Sequence, residues 1–511
     1  MDKTGMVYSL ANEGNVYFLS RPRRFGKSLL LSTLESYFLG RKELFKGLKI
    51  ESLEKDWKTY PVIRIDFNGE DFTRVDALEC FLNAVISRLE KHYHVETAEG
   101  TSIGWRFQNI LADIHRQAGM PVVVLVDEYD KPLLDAMGMT CHVDYHGMEI
   151  SLEEYNRNTL KSFYSTFKAV DEHLRFVFLT GVTKFSQVSV FSGFNQPEDI
   201  SLSPQYESLC GITEEEMLFT FAEPIERMAE FYGCSYAEMV NRLKKQYDGY
   251  HFSDLLVGVY NPFSLLNAFK RLRMENYWFQ TGTPTYLIRL MEHFNENLDE
   301  LTGQYYAAQD FSDYKADVEL PLPMIYQSGY LTIKDYDRRT KTFLLDIPND
   351  EVKQGFISLL ANNYFKAPTS AESWVVSSIK QLDNGDLDSF RQSLTSFLAS
   401  IPYSMRRKEN ERERERYFHY TFYLILRLLS TYMVYTEKQL SQGRADSIIE
   451  TDRYVYIFEF KLDGTADEAL QQIEAKGYAK PYTDDPRTLY KIGCSFSSET
   501  GTIAEWRSVK R

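Results

Sequence analysis

The apolar run Val16–Leu19 breaks at Ser20 into Arg21-Pro22-Arg23-Arg24-Phe25, and Gly26-Lys27-Ser28 then opens a leucine-rich segment. Strand, tight turn and helix in that order leave a chain few options. The helix must cross back over a sheet to reach a parallel neighbour, and its first N–H groups are left unpaired at the turn. Those donors and the positive helix end make an anion site, and a lysine with a hydroxyl beside it suits phosphate and Mg²⁺. Lys27 is expected to reach the terminal phosphates, Ser28 to ligate Mg²⁺, and Gly26 to let the backbone approach closely. The G-x-x-x-x-G-K-[S/T] pattern wants glycine where Arg21 stands, which restricts the backbone there. Arg21, Arg23 and Arg24 are expected to offset phosphate charge directly, the competing reading leaving Arg23 and Arg24 solvent-facing or paired with acidic neighbours.

Later apolar runs fit the same sheet. Pro61–Phe67, Pro121–Val126 and Arg175–Gly181 read as strands buried on both faces, separated by helical stretches over Val75–His92, Ile103–Gln117 and Leu152–Val170. Little structure is expected before the first strand. Asp127-Glu128 follows the third run: Asp127 is expected in the Mg²⁺ shell and Glu128 to orient and deprotonate the attacking water. Thr180, at the end of a later run, is placed to sense the γ-phosphate. Ligands of such sheets bind at the carboxyl ends of strands, where these residues fall. The competing reading makes Asp127-Glu128 a turn cap and Lys27 a solvated helix-terminal charge.

The pattern turns helical from Glu214 to about His293. Helix, hairpin and helix signals then follow over 322–365, with Asp337-Arg338-Arg339 as the hairpin turn. The expected fold is α/β: a P-loop NTPase with a doubly wound parallel sheet over 1–205, a helical lid over 206–300 and a winged-helix-like unit over 301–375. A further small α/β domain is expected over 376–511.

That last domain carries a second constellation. Gly443-Arg444-Ala445-Asp446 leads into Ser447–Glu450, and Tyr454–Lys461 follows a Thr451-Asp452-Arg453 turn. Strand period puts Glu459 and Lys461 on one face, with Asp446 on the neighbouring strand. Two carboxylates and an ammonium suit Mg²⁺-assisted phosphodiester cleavage: Asp446 and Glu459 hold metal, and Lys461 positions or activates water. Glu415, at the head of the preceding expected helix, is a candidate to complete the metal shell, His419 lies one turn on, and Gln472 on the following helix is placed to brace the site. The competing reading is an exposed Glu/Lys pair on a half-buried strand.

A chain of 511 residues, 43% hydrophobic with a net charge of −15, can build several cores and is ill-suited to coating nucleic acid indiscriminately. A local basic groove on an acidic body remains compatible with a nucleic-acid enzyme. The five cysteines are scattered with no C-x-x-C pair, so neither a disulfide framework nor a zinc site is expected. No apolar run reaches the ~20 residues of a membrane span, and a cytoplasmic location without membrane contact is expected.

The string Arg21-Pro22-Arg23-Arg24-Phe25-Gly26-Lys27-Ser28, with Val126-Asp127-Glu128-Tyr129-Asp130 and Leu179-Thr180-Gly181-Val182-Thr183-Lys184, resembles the bacterial AAA-ATPase-like family. Tyr247-Asp248-Gly249-Tyr250 and Tyr260-Asn261-Pro262 look like its helical-region signatures. Gly443-Arg444-Ala445-Asp446, Glu459-Phe460-Lys461 and Gln472-Ile473 resemble its companion PD-(D/E)XK nuclease superfamily domain, which implies a small α/β restriction-endonuclease-like fold over 376–511. The resemblance covers nearly the whole chain and makes Arg21 a family feature. It implies ATP with one Mg²⁺, one or two Mg²⁺ at the nuclease site, and a nucleic-acid substrate, DNA ranked ahead of RNA. A homo-oligomer is left open. A setting in defence or mobile-element biology would suit such an enzyme. The alternative is a nucleotide-gated binding or scaffold protein with an inactive nuclease domain.

Overall fold

The computed structural model describes residues 1–97, 100–185, 197–281, 301–314, 322–365, 371–401 and 447–511, with 421, 425, 439–440 and 443–444 between them. The chain divides into two compact units, Met1–Val352 and Lys353–Arg511.

The first unit is organised on a five-stranded sheet. Its strands are β1 (Val16–Ser20), β2 (Val62–Asp66), β3 (Val122–Asp127), β4 (Leu174–Gly181) and the short β5 (Glu198–Asp199). Their order is β2-β3-β4-β1-β5, and every pairing is parallel. Every residue of β3 is buried, as a central strand covered on both faces requires. Helices α2 (Lys27–Phe38), α3 (Ala77–Tyr93), α4 (Ile103–Ala118) and α5 (Leu152–Ala169) supply the crossovers. Ser102 and Ser151 cap α4 and α5 by accepting from the N–H groups of Trp105 and Glu154, satisfying donors that each helix start leaves open.

The expectation that little precedes β1 is corrected. Thr4–Glu13 forms helix α1, with Val7, Leu10 and Ala11 buried. Asp2 starts it, one carboxylate oxygen accepting from both the backbone N–H and the hydroxyl of Thr4.

Beyond the sheet, α6 (Glu214–Thr220), α7 (Ala222–Tyr232), α8 (Tyr236–Tyr247) and α9 (Pro262–Arg271) enclose a second core that includes Met217, Ile225, Met228, Leu243 and Leu265. A three-stranded antiparallel sheet follows, built from β6 (Gln304–Ala307), β7 (Thr332–Asp337) and β8 (Thr342–Asp346), with β8 in the middle. The β7–β8 hairpin matches the sequence expectation. The third strand, β6, carried no signal, because Gln304-Tyr305-Tyr306-Ala307 lacks a clean polar–apolar alternation.

The second unit contains α10 (Ala371–Asp383), α11 (Leu387–Ser400) and a four-stranded mixed sheet: β9 (Ser447–Glu450), β10 (Tyr454–Leu462), β11 (Thr488–Phe496) and β12 (Ile503–Lys510). β10 pairs antiparallel with β9 and parallel with β11. Helix α12 (Ala466–Ala475) makes the crossover from β10 to β11 and is held at its start by a Thr465/Glu468 capping box. Ile473 of α12 packs with Val455, Ile457, Tyr478 and Tyr482. Among the described residues no helix is long and apolar enough to cross a membrane.

Candidate functional sites

The loop after β1 is closed upon itself. Lys27 opens α2, and its Nζ donates to the carbonyls of Arg21 (2.8 Å) and Pro22 (3.1 Å). Its ammonium is buried, which pushes its pKa down, while the nearby carboxylates of Glu128, Asp130 and Asp127 pull the other way. Gly26, with φ 93°, and Arg24, with φ 68°, make the left-handed bends of the loop. Ser28 lies exposed in the first turn of α2. Arg23 is half-buried and Arg24 exposed, the Arg24 guanidinium lying 5.2 Å from the Phe263 ring.

Arg21 turns inward. Only 1% of its surface is exposed. Its guanidinium donates to the carbonyls of Ser20 (2.9 Å), Ser201 (2.7 Å) and Tyr206 (3.3 Å) and stacks 4.0 Å over Phe252. The side chain, expected at a phosphate, here donates to backbone carbonyls and braces the turn. Phe25 adds edge-on contacts with Tyr250 (4.8 Å) and Phe252 (5.6 Å).

The carboxylates sit two strands away, across β4. Asp127 ends β3 and is buried; its Oδ1 accepts the Thr180 hydroxyl at 2.8 Å, and its Oδ2 lies 3.6 Å from Arg64 of β2. Thr180, expected to sense the γ-phosphate, is fully buried, and its hydroxyl donates to Asp127. Glu128 is half-buried with φ 50°, a backbone conformation that a β-carbon disfavours and that recurs where a side chain must be aimed at a site. Asp130 had no sequence-assigned role. It is buried and accepts from the Val182 and Thr183 N–H groups (2.9 and 2.6 Å), and burial raises its pKa to about 7. Lys184 joins β4 to β5 through Asp199 (2.8 Å) and also pairs with Asp313 (2.7 Å). Arg64 and Asp130 were missed. The usable signals were an arginine inside the apolar run Val62-Ile63-Arg64-Ile65 and a second acid three residues after Asp127.

In the second unit, Glu459 and Lys461 lie two apart on β10, as strand period requires, with Nζ 3.7 Å from Glu459 Oε1. Glu459 is 1% exposed. Gln472 joins them: its Oε1 accepts from Lys461 Nζ at 2.6 Å, and its Nε2 donates to Glu459. A buried carboxylate bridged this way is not the solvated surface pair of the competing reading. Asp446, Glu415 and His419 lie outside the described residues.

Among the described residues no three His, Cys, Asp or Glu side chains gather to hold a metal by themselves. The donors present nonetheless fit Mg²⁺. Asp127 offers a buried carboxylate held by the Thr180 hydroxyl, and Glu459 offers another beside an ammonium. Hard oxygen donors in small number suit an ion that keeps several waters and takes others from a phosphate.

Residues 1–191 match the AAA-ATPase-like family, described as "Predicted AAA-ATPase", and residues 413–506 match the PD-(D/E)XK nuclease superfamily. The chain is 34% identical to "Uncharacterized protein in vnfD 5′region" of Azotobacter chroococcum mcd 1, over 98% of this chain and 94% of the relative. Similar solved structures include Cdc6p of Pyrobaculum aerophilum, at 11% identity and a TM-score of 0.24, covering 71% of this chain and 92% of that one. The ORC2 protein of Aeropyrum pernix is 12% identical with a TM-score of 0.27, covering 70% and 93%. With its phosphate loop, its parallel sheet and its C-terminal mixed sheet in place, the chain belongs to the AAA-ATPase-like family and carries a C-terminal domain of the PD-(D/E)XK nuclease superfamily.

Proposed function

We propose that the protein binds and hydrolyses ATP in its first unit, and that this controls a Mg²⁺-dependent phosphodiesterase in its second that acts on nucleic acid, DNA before RNA. The observation that carries the ATP reading is the enclosure of Lys27 by its own loop carbonyls, with Asp127 and Glu128 at a nearby strand end. Phosphate oxygens would take over the two hydrogen bonds that Lys27 now gives to Arg21 and Pro22. Gly26 and the start of α2 offer backbone N–H groups, and Arg23 and Arg24 bring further charge. Ser28 and Asp127 would hold Mg²⁺, which supplies charge compensation on the phosphates when bound. Glu128 would orient and deprotonate the attacking water. Asp446, Glu459 and Glu415 are the proposed metal ligands of the nuclease site, with Lys461 stabilising developing charge and Gln472 and His419 in support. Within this reading, the ATPase core covers 1–205, the lid 206–300, the winged-helix-like unit 301–375 and the nuclease-like domain 376–511.

Two sets of variants test it. Lys27→Ala is expected to abolish ATPase activity, and an unchanged rate would sink the ATP reading. Glu459→Ala and Lys461→Ala are expected to abolish cleavage of DNA. Equal cutting by native and variant chains would remove the nuclease assignment, and nucleotide binding without any cleavage would favour the gated scaffold.

A further inference from the structure

Arg64 is the one cation on β2, and its position ties it to both halves of the proposed metal site. One guanidinium nitrogen donates to the Ser32 hydroxyl at 3.1 Å and lies 3.3 Å from Glu35, while the other lies 3.6 Å from Asp127 Oδ2. Ser32 in turn donates to the Ser28 carbonyl at 2.9 Å. Ser28, Ser32 and Glu35 recur at helical spacing along one face of α2. Arg64 therefore spans from the helix that carries Ser28 to the strand that ends at Asp127. Asp127 does not need it for orientation, because the Thr180 hydroxyl holds the other carboxylate oxygen at 2.8 Å. What Arg64 contributes at Asp127 is charge.

Resting on the nucleotide-site reading above, we propose that Arg64 is a resident counter-cation of Asp127 that Mg²⁺ must displace, with Glu35 as its second berth. Without metal, the Asp127 carboxylate is already compensated. A divalent ion arriving alone meets a guanidinium at the same carboxylate, and like charges this close repel strongly. A nucleotide triphosphate supplies the extra negative charge that makes the exchange favourable, and Arg64 then leans on Glu35, to which it is already within reach. The site thus takes Mg²⁺ together with nucleotide rather than ahead of it. Arg64 is a positioning residue in this scheme and takes no part in the chemical step.

The test measures affinity for a fluorescent ATP analogue with Mg²⁺ and with EDTA, and compares the ratio among full-length variants. Every variant keeps the same nuclease domain, so metal bound there contributes alike to each ratio. Arg64→Gln keeps a hydrogen-bonding side chain and removes the charge. It is expected to raise the ratio about tenfold, the order expected for one charge near a divalent ion in a partly screened site. Arg64→Lys is expected to match the native ratio. Glu35→Gln removes the second berth and is expected to lower it. An Arg64→Gln ratio equal to or below the native one overturns the proposal. If that variant does not fold, an unchanged ratio in Glu35→Gln overturns it instead. Absence of analogue binding by the native chain in both conditions would remove the nucleotide-site reading itself, which separates the two failures.

Discussion

Trp278 donates its indole N–H to the carbonyl of Arg23 at 3.1 Å, so a residue far from the parallel sheet in sequence is tied to the backbone of the phosphate loop. The backbone N–H of the same tryptophan donates to Glu351 Oε1 at 2.8 Å, and that oxygen also accepts the Ser264 hydroxyl at 3.0 Å. Glu351, Trp278 and Arg23 therefore form a chain of hydrogen bonds from the first turn of the 350–365 helix to the turn between β1 and α2. Any change in the shape of that turn is felt by Trp278.

Trp278→Phe keeps the ring contact with Tyr330, 5.2 Å away, and deletes the donor to Arg23. A single hydrogen bond of this kind contributes about 1 kcal/mol. Nucleotide affinity measured by calorimetry is expected to fall about fivefold, and an unchanged affinity would show that the loop does not depend on this tie.

Glu351 titrates in an unusual range. Burial raises its pKa from 4.5 to about 7, although the Trp278 N–H and the Ser264 hydroxyl favour the charged form. An acid whose folded pKa is raised contributes stability below its unfolded pKa and loses it as pH climbs through the folded value. The loss therefore runs from about pH 4.5 to about pH 7 and amounts to about 3 kcal/mol. Asp130, also raised to about 7, adds to the same trend. Thermal unfolding is expected at lower temperature at pH 8 than at pH 6, with Glu351→Gln narrowing the gap. A gap of native size in that variant would exclude Glu351 as a source.

Much of the first unit was legible because buried parallel strands leave continuous apolar runs, and β3 with its trailing Asp127-Glu128 is such a run. The hairpin of β9 and β10 was legible through strand period, which set Glu459 beside Lys461. The partners of Arg21 and Thr180 were not legible, for one shared reason. Sequence locates a side chain along the chain but does not say which way it points, and each of these turned towards an internal partner: backbone carbonyls for Arg21, Asp127 for Thr180. Arg64 was missed because its partners, Ser32, Glu35 and Asp127, come from elements that only the folded sheet brings together. The edge strand β5, two residues long, leaves no pattern at all.

Gly181 closes β4 where the acidic motif packs against it. A β-carbon built there would lie 2.6 Å from Asp130 Oδ1 and 2.8 Å from the Tyr129 ring. Both neighbours are buried and hydrogen-bonded, so neither can move aside cheaply. Gly181→Ala is expected to cost about 1–3 kcal/mol by overpacking, read as a lower urea midpoint with an unchanged slope. Native stability in this variant would mean that the Asp130 loop gives way more easily than its hydrogen bonds imply.

Gln472 holds Lys461 and Glu459 by opposite ends of one amide. Gln472→Ala leaves both charged groups in place but removes the bridge that fixes their separation. On the nuclease reading, cleavage is expected to fall about 10- to 100-fold, as for other groups that orient metal ligands. Gln472→Glu should be worse than Gln472→Ala, because it sets a second carboxylate against Glu459 while still attracting Lys461. Equal rates in the three chains would mean that the amide plays no part in the chemistry.

Arg21→Gly writes the glycine of the common phosphate-loop pattern back into the loop, and it is expected to damage the protein. Three backbone carbonyls lose a charged donor at 2.7–3.3 Å, and Phe252 loses the guanidinium stacked on it. Buried acceptors left without a donor cost about 1–3 kcal/mol each, partly recovered if water enters. The net loss is expected at about 3–5 kcal/mol in urea unfolding. Arg21→Lys should recover little of it, since one ammonium cannot reproduce the planar fork that reaches Ser20, Ser201 and Tyr206 together. Nucleotide affinity in the folded fraction of either variant is expected to be no better than native. A glycine variant that is both stable and tighter-binding would return Arg21 to the phosphate side of the loop, and with it the simpler reading of the Arg21–Ser28 string.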